Sequence, residues 1–190
     1  MALGKQAKTL SDAQQRVVLS HLKEGRHSQR NTVMFLLSVD AGLRAKEIAA
    51  LDWSMLTDAS RQVTSEIRLP DRASKGRSGG VVYMSKRLHQ AVLALSQKGV
   101  LEGRVLKSQR GNCMSPQVVT NWFFNLYLEL GYEGCSSHSG RRTAITNWAR
   151  RISSVGGSLR DVQALARHAS IAMTQRYIEV SEDACRRVVG

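Results

Sequence analysis

The chain has 190 residues, 42% of them hydrophobic, and carries 28 Lys and Arg against 15 Asp and Glu for a formal net charge of +13. That apolar content supports a real core and excludes whole-chain disorder, and the lack of any run of about 18 apolar residues excludes a spanning helix. The length bounds the fold to one domain or two small lobes, and the cationic excess favours a polyanionic partner. Cys113, Cys135 and Cys185 are far apart and form no CxxC pair, so neither a zinc site nor a disulfide framework is expected. Reduced thiols and an N-terminus without the apolar stretch of a signal peptide suit the cytoplasm or nucleoid.

In chain order, residues 1–10 read as a tail or linker end. Ser11-Asp-Ala-Gln14 is a capping-box pattern opening a helix with Val17, Val18 and Leu22 on one side. A second helix is expected from Ser28 to Ala41, with Val33, Leu36 and Leu37 inward and Gly42 as its stop. Arg44 to Leu51 reads as a short helix with Ile48 and Leu51 apolar. Gln62 to Leu69 and Gly79 to Met84 read as two strands of a β-hairpin whose polar tip includes Lys75. Trp53 to Leu56 is expected to add a third, edge strand. Ser85 caps a helix carrying Leu88, Val92 and Leu95. Ser115-Pro116 opens an amphipathic helix with Val119, Trp122, Phe123, Leu126, Tyr127 and Leu130 at helical spacing. A helix after His138 buries Ala144, Ile145 and Trp148. Ser154 to Ser158 is a loop, followed by short helices over Ser158 to Ala166, Ile171 to Ile178 and Ser181 to Val189. The sum is a mainly helical α+β domain with one small antiparallel sheet.

The residues that suggest chemistry are Arg44, His138, Arg141, His168 and Tyr177, in that order along the chain. Transfer of a phosphodiester without a metal needs a nucleophile, positive charge on the non-bridging oxygens and a proton source for the leaving oxygen. Tyr177 supplies a phenolic oxygen able to form a covalent phosphoester. A phenol ordinarily titrates near pH ~10, so attack at neutral pH calls for cationic neighbours. Arg44 and Arg141 suit a clamp, because guanidinium matches phosphate oxygens bidentately and stays charged. His138 precedes Arg141 by three residues, which places both on one side of a helix start. His168 can donate to the phosphate or move a proton. Lys75 has the reach to protonate a departing 5′ oxygen.

These boxes resemble those of the tyrosine recombinase, or phage integrase, family. Its arginine box is similar to Ala41-Gly-Leu-Arg44-Ala-Lys-Glu47-Ile-Ala-Ala-Leu51, and its HxxR box to His138-Ser-Gly-Arg141. Its Leu-Gly-His segment and nucleophile box are similar to Leu165-Ala-Arg-His168 and Thr174-Gln-Arg-Tyr177, and its hairpin lysine falls on Lys75. The resemblance covers Ser11 to Ser181 and implies the catalytic-domain fold of that family over residues 11–190, without its separate N-terminal clamp domain. It implies attack by Tyr177 on DNA to give a 3′-phosphotyrosine and a free 5′-hydroxyl, reversed by a partner 5′-hydroxyl with no metal, cofactor or ATP. Glu47 resembles an acid that orients His138 or Arg44. Double-stranded DNA is the implied partner, with self-association to a tetramer at synapsis, and no membrane or small-molecule substrate. The chain departs from the family at Arg142, at Ala166-Arg167 and at Gly140, a glycine expected to loosen its helix start.

Other readings bear on the same residues. His21, His27 and His89 lack partners of this kind and read as structural, as do Tyr83, Tyr127 and Tyr132. Arg150, Arg151, Arg160, Arg167, Lys107 and Arg110 are candidate phosphate contacts, each an ordinary charge when taken alone. A catalytically degenerate DNA-binding module and a type IB topoisomerase share most of these features. An RNA-binding domain predicts aromatics clustered on strands, and aromatic content is only 5%.

Overall fold

The computed structural model describes residues 7–71, 79–97, 99–108, 113–178 and 186–187. It is mainly helical with one two-stranded antiparallel sheet among the described residues. The elements are α1 (Asp12–Glu24), α2 (Ser28–Val39), α3 (Ala45–Ala50), β1 (Glu66–Leu69), β2 (Gly80–Tyr83), α4 (Lys86–Ser96), α5 (Pro116–Glu129), α6 (Ser139–Arg151), α7 (Leu159–Ala166) and α8 (Ile171–Gln175). Short 3-10 turns occupy Trp53–Met55 and Ile152–Val155. The chain forms two compact units, Met1–Ala144 and Ile145–Gly190, and the division falls within α6.

In the first unit α1 starts as its capping box dictates. The Ser11 hydroxyl accepts from Gln14 N–H at 3.2 Å, and the Gln14 side chain accepts from Ser11 N–H at 3.0 Å. Val18 and Leu22 are buried, but Val17 is 50% exposed, against expectation. Adjacent helical residues point about 100° apart, and on this one-sided helix Val18 takes the core face while Val17 turns to solvent. Ahead of α1, within the stretch 1–10, Leu10 is buried and its N–H donates to the Thr143 hydroxyl at 2.8 Å.

Helix α2 is the centre of this unit and packs against α1, α3 and α4. Every residue from Val33 to Val39 is buried, so the helix is enclosed on all sides over its second half. Its last turn is pinned by Asp40, which accepts from the Ser85 hydroxyl at 2.5 Å and from Arg87 Nε at 2.7 Å. That carboxylate raises the Arg87 pKa. Helix α3 packs on α5, where Ser115 and Pro116 open the helix as cap and first residue. Val119, Phe123, Leu126 and Tyr127 face the core, with Trp122 half-buried beside them. Tyr127 stacks on Phe123 and Tyr132, and burial, followed by the charge of Cys135, pushes its phenol pKa up.

Strands β1 and β2 pair in the register Glu66↔Tyr83 to Leu69↔Gly80, placing Ile67, Leu69 and Val82 inward. Residues 72–78, including Lys75, lie outside the described residues. The third strand expected at Trp53–Leu56 is instead a 3-10 turn. Asp52 causes this: its carboxylate accepts from Ser54 N–H at 3.3 Å and Ser54 Oγ at 2.9 Å, capping a turn that outcompetes strand pairing. Trp53 is nonetheless buried, its backbone N–H donating to Gly103 O at 2.9 Å.

The second unit has a small core of Ile145, Val162 and Ala166, with Trp148, Ala149, Ile152, Leu159 and Tyr177 packed around it. Helix α7 begins where Asp161 accepts from Ser158 N–H at 2.7 Å and Ser158 Oγ at 2.8 Å; these bonds, the backbone one foremost, lower the Asp161 pKa. Of the final helix expected over 181–189, residues 186 and 187 are described and both are helical.

Candidate active site

The arginine box is delivered by the turn after α2. Gly42 adopts φ +62°, and Leu43 N–H reaches back six positions to Leu37 O at 3.0 Å, closing the helix end. The left-handed conformation is why glycine stands there. Leu43 is thereby buried and Arg44 emerges extended, as the residue preceding α3. Glu47, whose side chain is 1% exposed, grips Arg44 twice: one carboxylate oxygen accepts from Arg44 N–H at 2.8 Å, the other from Arg44 Nη1 at 3.0 Å. A buried carboxylate needs such partners to remain charged. Of the two partners expected for Glu47, the structure shows contact with Arg44. One of the five guanidinium donors is engaged in this way, and the side chain is 22% exposed.

Arg141, on α6, is 4% exposed, and its Nη1 donates to Gly42 O at 2.5 Å. Gly42 is two residues from Arg44, a span of at most about 7 Å of chain. The second arginine therefore docks on the very turn that presents the first. His138 lies one helical turn before Arg141, is exposed, and its carbonyl accepts the first-turn bond from Arg142 N–H at 2.9 Å.

What lets α6 lie against α2 beside that turn is Gly140. A Cβ at position 140 would lie 2.1 Å from Ser38 Oγ, 2.8 Å from Ser38 Cβ and 3.1 Å from Ser38 C. The glycine permits close approach to α2 at a buried serine. Rotating the Ser38 hydroxyl would relieve the first overlap but not the other two. Gly140→Ala is accordingly expected to destabilise the protein by about 1–3 kcal/mol despite alanine's better helix propensity. Urea unfolding checks this, and an unchanged or raised midpoint would show that the helices separate freely.

In the second unit, α7 ends with Arg167 at φ +52°. A non-glycine residue there costs about 1 kcal/mol, which gives the departure at Arg167 a physical meaning. The chain reverses, His168 N–H donates to Gln163 O at 3.1 Å, and Gln163 Nε2 returns a bond to His168 O at 3.1 Å. The His168 side chain is buried, with Nδ1 2.9 Å from Thr174 Oγ1. Its ring stacks on Tyr177 with centroids 5.3 Å apart and planes 26° apart. Tyr177 is half-buried; its N–H donates to Thr174 O at 3.0 Å and its carbonyl accepts from Thr146 Oγ1 at 3.2 Å.

The structure thus gathers Arg44, Glu47 and Arg141, with His138 one turn upstream, in the first unit, and pairs His168 with Tyr177 in the second. Lys75 and Arg110 lie outside the described residues. Lys107, Arg150, Arg151 and Arg160 are exposed, whereas Arg167 is half-buried. Sequence reasoning gave no role to Ser38, Thr146 or Thr174. The only available signal for them was small or hydroxyl side chains at positions whose helical period points inward. Among the described residues no cluster of metal-ligating side chains occurs and no helix is long and apolar enough to cross a membrane.

No curated protein matches the chain. Solved structures do. The Tn1549 transposon integrase in complex with a circular intermediate DNA superposes with a TM-score of 0.74 at 18% identity, covering 98% of this chain and 66% of that one. XerA recombinase gives 0.72 at 20% identity, covering 99% and 64%. A lambda integrase dimer bound to a COC′ core site gives 0.68 at 16% identity, covering 95% and 53%. The chain therefore spans between about half and two thirds of the length of these structures, and at such identities the likeness shows the fold. The model of the phage integrase family matches residues 8–183, nearly the whole sequence, and the chain belongs to that family.

Proposed function

We propose that this chain is the catalytic domain of a site-specific DNA recombinase that cuts and rejoins strands through Tyr177. The observation that carries the proposal is the docking of Arg141 onto the Gly42 turn, which puts two guanidinium groups on one short stretch of backbone. Two such groups on one phosphate neutralise the charge that builds on its non-bridging oxygens during transfer.

In the proposed reaction Tyr177 Oη attacks phosphorus of double-stranded DNA. The Oη–P bond forms and the P–O5′ bond breaks, leaving a 3′-phosphotyrosine. The phenolic proton passes to solvent, and the 5′ oxygen gains a proton, for which Lys75 is the proposed donor. Attack by another 5′-hydroxyl reverses each bond change, so the covalent link conserves the bond energy. Arg44, Arg141, His138 and His168 bind the phosphate oxygens, and Glu47 orients Arg44. Residues 11–190 act as this catalytic domain, assembling as a tetramer on DNA at the nucleoid. The DNA complexes of the Tn1549 and lambda integrases support DNA as the partner.

The test is a nicked duplex in which the short fragment bearing the free 5′-hydroxyl diffuses away after cleavage, trapping the enzyme on DNA. A band that resists denaturing electrophoresis and is lost on proteolysis is expected; its absence with several family target sites would overturn the reading. Binding by a chain of +13 should also be chiefly electrostatic. The logarithm of affinity is expected to fall with the logarithm of salt by about 0.9 per phosphate contacted. A titration by fluorescence anisotropy between low and moderate salt measures this slope, and a flat line would count against a backbone-binding mode.

A further inference from the structure

Thr174 joins the two halves of the His168–Tyr177 pair. Its hydroxyl lies 2.9 Å from His168 Nδ1, and its carbonyl accepts from Tyr177 N–H at 3.0 Å. The hydroxyl is fully buried and the imidazole 6% exposed, so the bond between them is protected from competing water. Helix α8 is only five residues long, and Thr174 is its one buried residue. A buried threonine could be replaced by valine at equal volume if packing were its whole task, but here the hydroxyl meets a ring nitrogen.

We propose that Thr174 is a positioning residue for strand cleavage: its hydroxyl ties down Nδ1 of His168 and so commits Nε2 to the reacting phosphate. The proposal rests on the recombinase reading given above. Which imidazole nitrogen serves a reaction is set by the hydrogen bond the other one makes. A hydroxyl both donates and accepts, so Thr174 holds Nδ1 whether or not it carries a proton. That is a property a carbonyl or a carboxylate partner would lack. The ring's remaining freedom, rotation about its bonds to the backbone, is limited by the stack on the Tyr177 phenol at 5.3 Å. Loss of the hydroxyl therefore frees the imidazole to turn, and the phenol loses a fixed neighbour, while Arg44, Arg141 and His138 keep the contacts described above.

The experiment compares the unmodified chain with Thr174→Val and Thr174→Ser. Single-turnover cleavage of the nicked duplex and DNA affinity are measured across pH, together with nitrogen-15 NMR of the histidine side chains, assigned with His168→Gln. Valine is expected to slow cleavage about 10- to 100-fold with affinity within about twofold, as for loss of an orienting partner, and to shift the basic or acidic limb of the pH profile. Serine is expected to restore the rate to within about threefold, because it keeps the hydroxyl. The His168 Nδ1 resonance is expected to move in the valine variant and to hold its place in the serine variant. Equal rates in all three proteins, equal loss in both variants, or an Nδ1 resonance indifferent to valine would overturn the proposal. Should valine prevent folding, Thr174→Ala against Thr174→Ser reads the same contrast. Failure of the unmodified chain to trap DNA would sink the recombinase reading and with it the role in cleavage, whereas the NMR comparison, which needs no DNA, would still test the hold of Thr174 on Nδ1.

Discussion

Replacing Tyr177 with phenylalanine is expected to abolish covalent capture of DNA while leaving the fold and DNA affinity in place. The substitution removes one oxygen. Everything the structure shows holding this residue survives it: the ring contact with His168, the packing on the small core, and hydrogen bonds made by its backbone to Thr174 and Thr146. Stability should thus change by less than about 1 kcal/mol, the usual range away from buried polar contacts. Cleavage should fall by about 10⁴ or more, because no second group can take over the covalent step. Denaturing gels of the trapped complex and thermal unfolding of both proteins measure the two sides. A covalent band of undiminished intensity would put the nucleophile elsewhere in the chain.

The second large effect concerns the paired arginines. Arg44→Ala and Arg141→Ala are each expected to reduce cleavage by at least ~10², with far smaller changes in DNA affinity, as for removal of one preorganised oxyanion contact. The two differ in what else they disturb. Arg141 donates to the carbonyl of Gly42, so its loss leaves a backbone acceptor in a buried setting and should lower stability by about 1–3 kcal/mol. Arg44→Ala removes the guanidinium facing Glu47, whose side chain is 1% exposed, but retains the backbone N–H that the same carboxylate accepts. Lysine at either position keeps the charge and loses the planar fork, and should recover only part of the rate. Parallel loss of binding and cleavage would show that these groups merely hold DNA.

Local chemistry made much of this architecture readable in advance. The Ser11–Gln14 box and the Ser115-Pro116 start each fix a helix end through bonds a few residues long, and the structure has both helices where those signals stand. Gly42 was recognisable for the same reason: a left-handed turn is a property of one residue. The structure departs from the expectation where a neighbouring contact overrules a local preference. Trp53 to Leu56 has strand-like residues, yet Asp52 folds them into a turn. Val17 fell on the wrong side of its helix by one residue. The site shows the same division. The ordered boxes around Arg44, His138, Arg141, His168 and Tyr177 can be picked out in one dimension. The contacts that aim them, Gly140 on Ser38, Arg141 on Gly42, Thr174 on His168, join residues by packing rather than by spacing.

Near its start the chain is moored beside one of these boxes. Lys8 N–H donates to Gly134 O at 3.1 Å and Leu10 N–H to Thr143 Oγ1 at 2.8 Å, two anchors that bracket the segment carrying His138. An affinity handle or fluorophore attached at Lys8 would sit next to that segment, where incoming duplex passes in the proposed reaction. Removing such a handle before any activity assay is the practical corollary, and a reporter placed there on purpose would sense substrate arrival.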